Sequence, residues 1–316
     1  MRRARALRPL ANRTASIARN DILLFATLRN ERVRLPYFLD YYRNLGVAHF
    51  LIVDNDSSDG SADYLRGQPD VSLWHTKASY KSSRFGMDWL NELLRRYGHG
   101  HWCLTVDPDE FLIYPFHDTR PLRALTDWLE ASGRKSFSAM LLDVYPQGPI
   151  EDAIYHEGQD PLQIARWFDP ANYMIRRNER YGNLWIQGGP RSRTFFADDP
   201  MNGPALNKIP LVKWHWRYVY VSSTHMLLPF SLNLVYDRNG GERSSGCLLH
   251  TKFLSTLTDK SAEELDRRQH YADSQEYRAY HAGLGDNSTI WCEESVELTD
   301  WRQLDRLGLI SSGNWA

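Results

Sequence analysis

Residues 102–111 read Trp-Cys-Leu-Thr-Val-Asp-Pro-Asp-Glu-Phe, and the change from apolar to acidic within that stretch decides the fold. Residues 102–106 have the continuous apolar character of a buried strand. The strand ends in Asp107, Asp109 and Glu110. Carboxylates that close repel one another and resist burial unless a cation neutralises them. Hard oxygen donors at a strand end suit Mg²⁺ or Mn²⁺, and such an ion in turn can hold a diphosphate. The same residues in isolation also read as a solvated acidic turn, so the surrounding chain has to decide between the two.

Upstream, apolar runs and helical periodicities alternate. Strands are expected at 22–26, 48–53 and 71–74. A helix is expected at 35–45, with Leu35, Phe38, Leu39, Tyr42 and Leu45 on one face and Gly46 as its C-cap. A short helix fits 61–65. A longer one fits 83–97, with Met87, Leu90, Leu94 and Tyr97 on one face and Gly98 at its end. This alternation predicts an α/β fold: a mostly parallel central sheet flanked by helices, with ligands bound beyond the carboxyl ends of the strands. Three polar loops, 27–31, 54–60 and 107–111, then share one rim. Downstream we expect a helix at 125–130 and a strand at 137–145. Residues 146–210 read as long loops with short strands, followed by a strand at 212–221, a charged helix at 260–281 and a short helix near 301–307. The chain divides into a basic arm (1–20), one α/β domain (21–255) and a C-terminal helical extension (256–316).

Bulk properties exclude several classes. The net charge of −1 argues against a general nucleic-acid binder. Six arginines and no acid lie in residues 1–20, leaving −7 for the rest. The arm is expected to be disordered, with an anionic membrane surface as its alternative role. No apolar run is long enough to span a membrane. Three cysteines, odd in number and far apart, fit a reducing compartment without a disulfide framework. The expected location is cytoplasmic, with peripheral contact at the inner face of the membrane through the arginines as the alternative. Eleven Trp and 17 Tyr supply amphipathic rings suited to sugar C–H faces, although large cores use them too.

The second rim loop, Val53-Asp54-Asn55-Asp56-Ser57-Ser58-Asp59-Gly60, follows the first, Ala26-Thr27-Leu28-Arg29-Asn30-Glu31, and precedes Asp107-Pro108-Asp109-Glu110-Phe111. In order and spacing these segments resemble the family 2 type of glycosyltransferases with the GT-A fold, in the subgroup whose Asp-x-Asp metal motif runs into Glu-Phe. The resemblance covers about residues 20–255 and is strongest up to Phe111. It implies a nucleotide-diphosphate sugar donor, a UDP-sugar in the first place, held through a divalent cation (Mn or Mg). Asp54 is then the nucleobase-contacting aspartate. Asp109 is the metal ligand, and Asp107 reaches ribose or the ion. Thr27 and Arg29 line the nucleotide pocket, and Arg84 or Lys81 is the basic residue before the metal motif. Gly188-Gly189-Pro190-Arg191-Ser192-Arg193 reads as a glycine turn bringing Arg191 to phosphate, with Lys208-Ile209-Pro210 beyond it. In Leu248-Leu249-His250-Thr251-Lys252, His250 completes the metal shell and Lys252 touches the diphosphate; His225 is a second candidate ligand.

An inverting transfer needs a carboxylate to take the acceptor proton. Asp143 after the strand at 137–145 is chosen, with Asp198, Asp199, Asp237 and Glu242 as competitors. The implied acceptor is a glycan or glycolipid in surface polysaccharide synthesis. A catalytically silent sugar- or nucleotide-binding module is the alternative. A nucleotidyltransferase is disfavoured because residues 26–31 contain no glycine for a phosphate loop.

Overall fold

The computed structural model describes residues 7–234, 243–257 and 289–315. The first part of the chain runs β1 (Arg8–Ala11), β2 (Ile22–Leu28), α1 (Leu35–Leu45), β3 (His49–Asp54), α2 (Ser61–Arg66), β4 (Val71–His75), α3 (Met87–Tyr97) and β5 (Trp102–Thr105). The middle adds β6 (Glu110–Ile113), α4 (Leu122–Ala131), β7 (Ser136–Asp143), β8 (Trp167–Phe168), β9 (Tyr173–Arg177), β10 (Leu184–Gly188) and α5 (Gly189–Phe195). The rest contributes β11 (Asn207–Lys213), β12 (Val219–Ser222), β13 (Met226–Leu228), β14 (Gly246–His250), β15 (Val296–Glu297) and α6 (Trp301–Arg306).

Nine strands form the central sheet in the order β1-β4-β3-β2-β5-β11-β7-β14-β6. Six of them (β4, β3, β2, β5, β7, β14) point one way, and β1, β11 and β6 point the other. The protein is therefore a mixed α/β fold built on a mostly parallel sheet, as the alternation of elements implied. Every residue of β2 is buried because both faces of the sheet are covered. The period of two sorts its side chains. Ile22, Leu24, Ala26 and Leu28 join the core under α1, whereas Leu23 and Phe25 join the one under α3.

Residues Leu28, Asp54, Thr105, Asp143 and His250 end co-directional strands and so share one rim. The two reversed strands β11 and β6 begin at that rim, with Asn207 and Glu110. Their direction decides what the rim holds, because it delivers Lys208 and Glu110 to the edge where the parallel strands deliver carboxylates.

Several expectations are corrected. The arm is not free to residue 20: β1 pairs with β4, and Arg13 donates to the carbonyls of Val71 (2.8 Å) and Arg66 (2.9 Å). The helix expected from 83 starts at Met87, because Arg84, Phe85 and Gly86 carry φ of 53°, 57° and 77°, outside the right-handed helical region. The strand expected at 212–221 is two strands, β11 and β12, with a turn between them in which the Tyr218 amide donates to the His215 carbonyl. The glycine turn at 188–193 opens into α5. Strand β6 was not expected at all. The helix expected at 260–281 lies outside the described residues. Residues 289–315 pack on the main core through Trp301, Leu304, Ile310 and Trp315. Cys103, Cys247 and Cys292 are free thiols. No helix among the described residues is long and apolar enough to cross a membrane.

Candidate functional site

An open cleft of about 820 Å³ runs along the carboxyl rim. Thr27, Arg29, Lys81 and Arg84 line one side. Asp107, Asp109, His250 and Lys252 line the acidic corner, and Arg191, Lys208 and His225 lie on the walls. The polypeptide thus gathers residues from 27 to 252 at one place.

The acidic corner is a network of opposed charges. Lys208 is buried and donates to Glu110 Oε1 at 2.7 Å, with Asp107 Oδ2 3.8 Å away. Burial pulls the Lys208 ammonium down, but Glu110, Asp107 and Asp109 outweigh it and the net shift is upward. Desolvation, then the like charges of Glu110 and Asp109, push the Asp107 carboxyl up; Lys208 and His250 oppose this. The Asp107 side chain keeps 52% of its exposure, so the crowding of like charge is the cause the geometry supports.

At the other end of the corner, His250 Nε2 lies 3.4 Å from Asp109 Oδ2. Its Nδ1 lies 2.6 Å from Asp143 Oδ1, and Asp143 Oδ2 accepts from Arg191 Nε at 2.7 Å. Asp143 is 1% exposed and does not line the cleft. Burial acts to raise its carboxyl, but Arg191 and His250 outweigh that and hold it below its ordinary value. The role expected for Asp143, taking a proton from an acceptor, is therefore not the one its geometry serves. Both oxygens are engaged, and the group orients His250. The backbone amide of Thr251 donates to the Asp109 carbonyl at 2.9 Å, fastening the acidic loop to the end of β14.

Among the described residues no three His, Cys, Asp or Glu side chains converge as a ready-made metal site. The Asp109–His250 pair nonetheless fits one edge of such a site. Two ligands at ~2.1 Å from an octahedral ion sit ~3 Å apart, and Mg²⁺-like ions commonly take few protein ligands with the rest supplied by water and phosphate. The Asp143–His250 contact presents Nε2 towards Asp109 when Nδ1 carries the proton, the arrangement in which carboxylates support metal-bound imidazoles. Asp107 stands beside this edge, within the electrostatic reach of Asp109 and His250 and 3.8 Å from the Lys208 ammonium.

The two N-terminal rim loops are stitched together. The Asn30 amide donates to Ser57 Oγ (3.0 Å), the Ser58 amide to Asn30 Oδ1 (2.8 Å), and the Arg32 amide to Asp59 Oδ2 (2.8 Å). Arg29 donates to the carbonyls of Asn55 (2.9 Å) and Asp56. Asp54 is fully buried and does not line the cleft; its Oδ2 meets His75 Nδ1 at 2.9 Å. Asn55 is the residue of that loop that faces the cleft, anchored by Nδ2 to the carbonyls of Thr76 and Ala78. Arg84 is tied to Asp88 at 2.7 Å in the left-handed segment that closes this side. A Cβ at Gly86 would meet Thr27 Oγ1 and Tyr80 at 3.1 Å, so glycine lets that segment approach β2.

Of the other expected residues, Asp198 and Asp199 are exposed and do not line the cleft, and Asp237 and Glu242 lie outside the described residues. Among charged groups, His225 has two cations for neighbours, Lys208 and Arg191, which oppose a metal there. Trp185, Gln187 and Phe196 were missed. A lysine at the head of the apolar run Ile209–Val212 was the available signal for the role of Lys208; the indole of Trp185 carries none.

No family model matches this chain, and no curated protein matches it. Among solved structures it is similar to a 4-diphosphocytidyl-2C-methyl-D-erythritol synthase, at 14% identity over 46% of this chain and 68% of that one, with a TM-score of 0.26. It is similar to a putative glucose-1-phosphate thymidylyltransferase from Bacillus anthracis, at 10% identity over 94% and 97%, TM-score 0.31. A UTP-bound UGPase from Acinetobacter baumannii gives 9% identity over 84% and 100%, TM-score 0.32. Likenesses this loose carry no argument about the chemistry of this chain.

Proposed function

We propose that the cleft binds a nucleoside diphosphate sugar together with a divalent cation and transfers the sugar to a saccharide hydroxyl of a glycan or glycolipid. The observation that carries this reading is the Asp109–His250 edge, 3.4 Å apart, braced by Asp143 and bordered by Lys208, Arg191 and Lys252. Asp109 and His250 would hold the ion, with Asp107 beside them, and the ion would supply charge stabilisation to a leaving diphosphate. In the reaction the bond from anomeric carbon to phosphate oxygen breaks, a bond from that carbon to the acceptor oxygen forms, the acceptor's hydroxyl proton passes to the departing diphosphate or to water, and nucleoside diphosphate leaves. Lys208 and Lys252 lie where negative charge would accumulate. Asp143 acts through His250 as a positioning residue. The segment 84–86 and the stitched loops 27–31 and 54–60 form the side of the cleft suited to the nucleoside, with UDP the first candidate.

Thermal unfolding with a panel of nucleoside diphosphates, each with Mn²⁺ and with EDTA, tests the reading. At a hundredfold excess over its Kd a nucleotide should stabilise the fold by about 2.7 kcal/mol. A metal-dependent rise for one base is the expected result. No rise for any nucleotide would return the silent-module alternative. Release of UDP from the sugar nucleotide marks glycosyl transfer, whereas release of pyrophosphate from UTP in the presence of a sugar 1-phosphate would mark nucleotidyl transfer.

A further inference from the structure

We infer that the cleft wall made by Trp185 and His225 is a saccharide subsite, in which the indole covers a C–H face of the sugar and His225 Nε2 accepts a hydrogen bond from one of its hydroxyls. The inference deepens the proposed transfer and rests on it for the meaning of that sugar.

His225 is clamped from both ends. Its Nδ1 lies 2.5 Å from the Asn207 carbonyl, and its own carbonyl accepts from Asn183 Nδ2 (3.2 Å) and Asn207 Nδ2 (3.3 Å). A carbonyl can only accept, so Nδ1 carries the proton. Burial, then the neighbouring Lys208 and Arg191, push the imidazole down to about 3, and it is neutral. Nε2 therefore presents a lone pair, and among the described residues no donor meets it. The two nearby cations do not serve: Lys208 is committed to Glu110 and Arg191 to Asp143, each at 2.7 Å.

The chemistry of a ligand at Nε2 follows by elimination. Nε2 can only accept, so an acceptor-only anion has no bond to make there, and a cationic donor meets the like charges of Lys208 and Arg191. A neutral O–H donor remains. Beside it stands Trp185, its ring centroid 6.1 Å from that of His225 at 54°, also lining the cleft, with Ser222 and Ser223 adjoining. An aromatic face next to a fixed acceptor and two hydroxyls matches a molecule that is apolar on one face and hydroxylated at its edge.

The sugar can belong to the donor or to the acceptor, and one experiment reads both. Saturation-transfer NMR is run with methyl glycosides of glucose, galactose, mannose and N-acetylglucosamine, with and without UDP and Mn²⁺, on the full chain and on His225→Phe and Trp185→Ala. UDP-glucose and UDP are titrated alongside. Expected is either saturation of a free glycoside, marking the acceptor sugar, or tighter binding of UDP-glucose than of UDP, marking the donor sugar. Whichever is seen falls about tenfold in each variant, the worth of one net hydrogen bond or one stacked ring. The midpoint rise with UDP and Mn²⁺ stays unchanged in both. Should His225→Phe fail to fold, Trp185→Ala and the parent chain still decide. The inference is overturned if no glycoside binds the parent and UDP-glucose gains nothing over UDP, or if binding is the same in the variants. Loss of the nucleotide response in the parent, with glycoside binding intact, would instead remove the transferase reading and leave the saccharide site standing.

Discussion

Two charged clusters sit on the same side of this fold, and they are built differently. In the first, Arg193 donates to both oxygens of Asp169, at 2.8 and 3.0 Å, and to the Ile290 carbonyl. Tyr145 donates to Asp169 and lies 2.8 Å from Ser295 Oγ. Each charge there meets its opposite, and the cluster fastens residues 290–295 to the body. The second cluster holds Asp107, Asp109, Glu110, Asp143, Lys208, Arg191 and His250. Its inner members are paired as firmly, yet on the cleft side Asp107 stays half exposed and crowded by like charge, and His250 Nε2 faces Asp109 across 3.4 Å. A network closed on itself stabilises the fold, whereas one left open towards solvent is arranged for something that arrives. Buried carboxylates alone would not have separated the two; the difference lies in where the last contacts point.

That contrast can be broken at either cluster. The largest effect is expected at the open one: Asp109→Ala should lower transfer by about 10²–10³-fold or more, since it removes charge stabilisation at the leaving group. Chemical denaturation of the same variant should move by about 1 kcal/mol, since the side chain is 19% exposed and its loss removes one charged partner of His250. Parent-rate transfer by Asp109→Ala would end the metal assignment. At the closed cluster the signs reverse. Asp169→Ala strands the Arg193 guanidinium and should cost about 2–3 kcal/mol of stability, somewhat under the fully buried range because Arg193 is 27% exposed. Its UDP affinity in Mn²⁺, measured by calorimetry, should match the parent's. Between these lies Asp143→Asn, which weakens the brace on His250 without touching the cleft. The Mn²⁺ concentration for half-maximal transfer should rise about 10–100-fold. An unchanged Mn²⁺ requirement would make Asp143 a partner of Arg191 alone and sharpen the distinction between the two clusters by moving it to the closed side.

The rim was largely legible in the chain because its signals are local. Helix α1 follows its apolar face from Leu35 to Leu45 and stops at Gly46, whose φ of 100° suits glycine. Strands β2 to β5 follow the apolar runs. The acidic stretch lies at the rim, with Asp107 and Asp109 lining the cleft. What failed locally failed for identifiable reasons. The Ser83–Met87 stretch has a helical pattern, but Gly86 sits against Thr27 and the backbone there turns left-handed. The basic arm looks solvated until β1 is seen to complete the edge of β4.

Sequence by itself determined the alternation of elements, the placement of three polar loops beyond the strand ends, and the gathering of oxygen donors on one of them, since each depends on neighbours a few residues away. Tertiary structure alone decided which donors face the cleft. Asp54 turned inward to His75, and Asp143 was closed between Arg191 and His250, residues 48 and 107 positions along the chain. The reversed strand β11 carried Lys208 to Glu110, 98 positions away. Those partners are chosen by strand direction and register across the sheet, and hydrophobic periodicity, which reports only whether a side chain is inside or outside, holds no record of them.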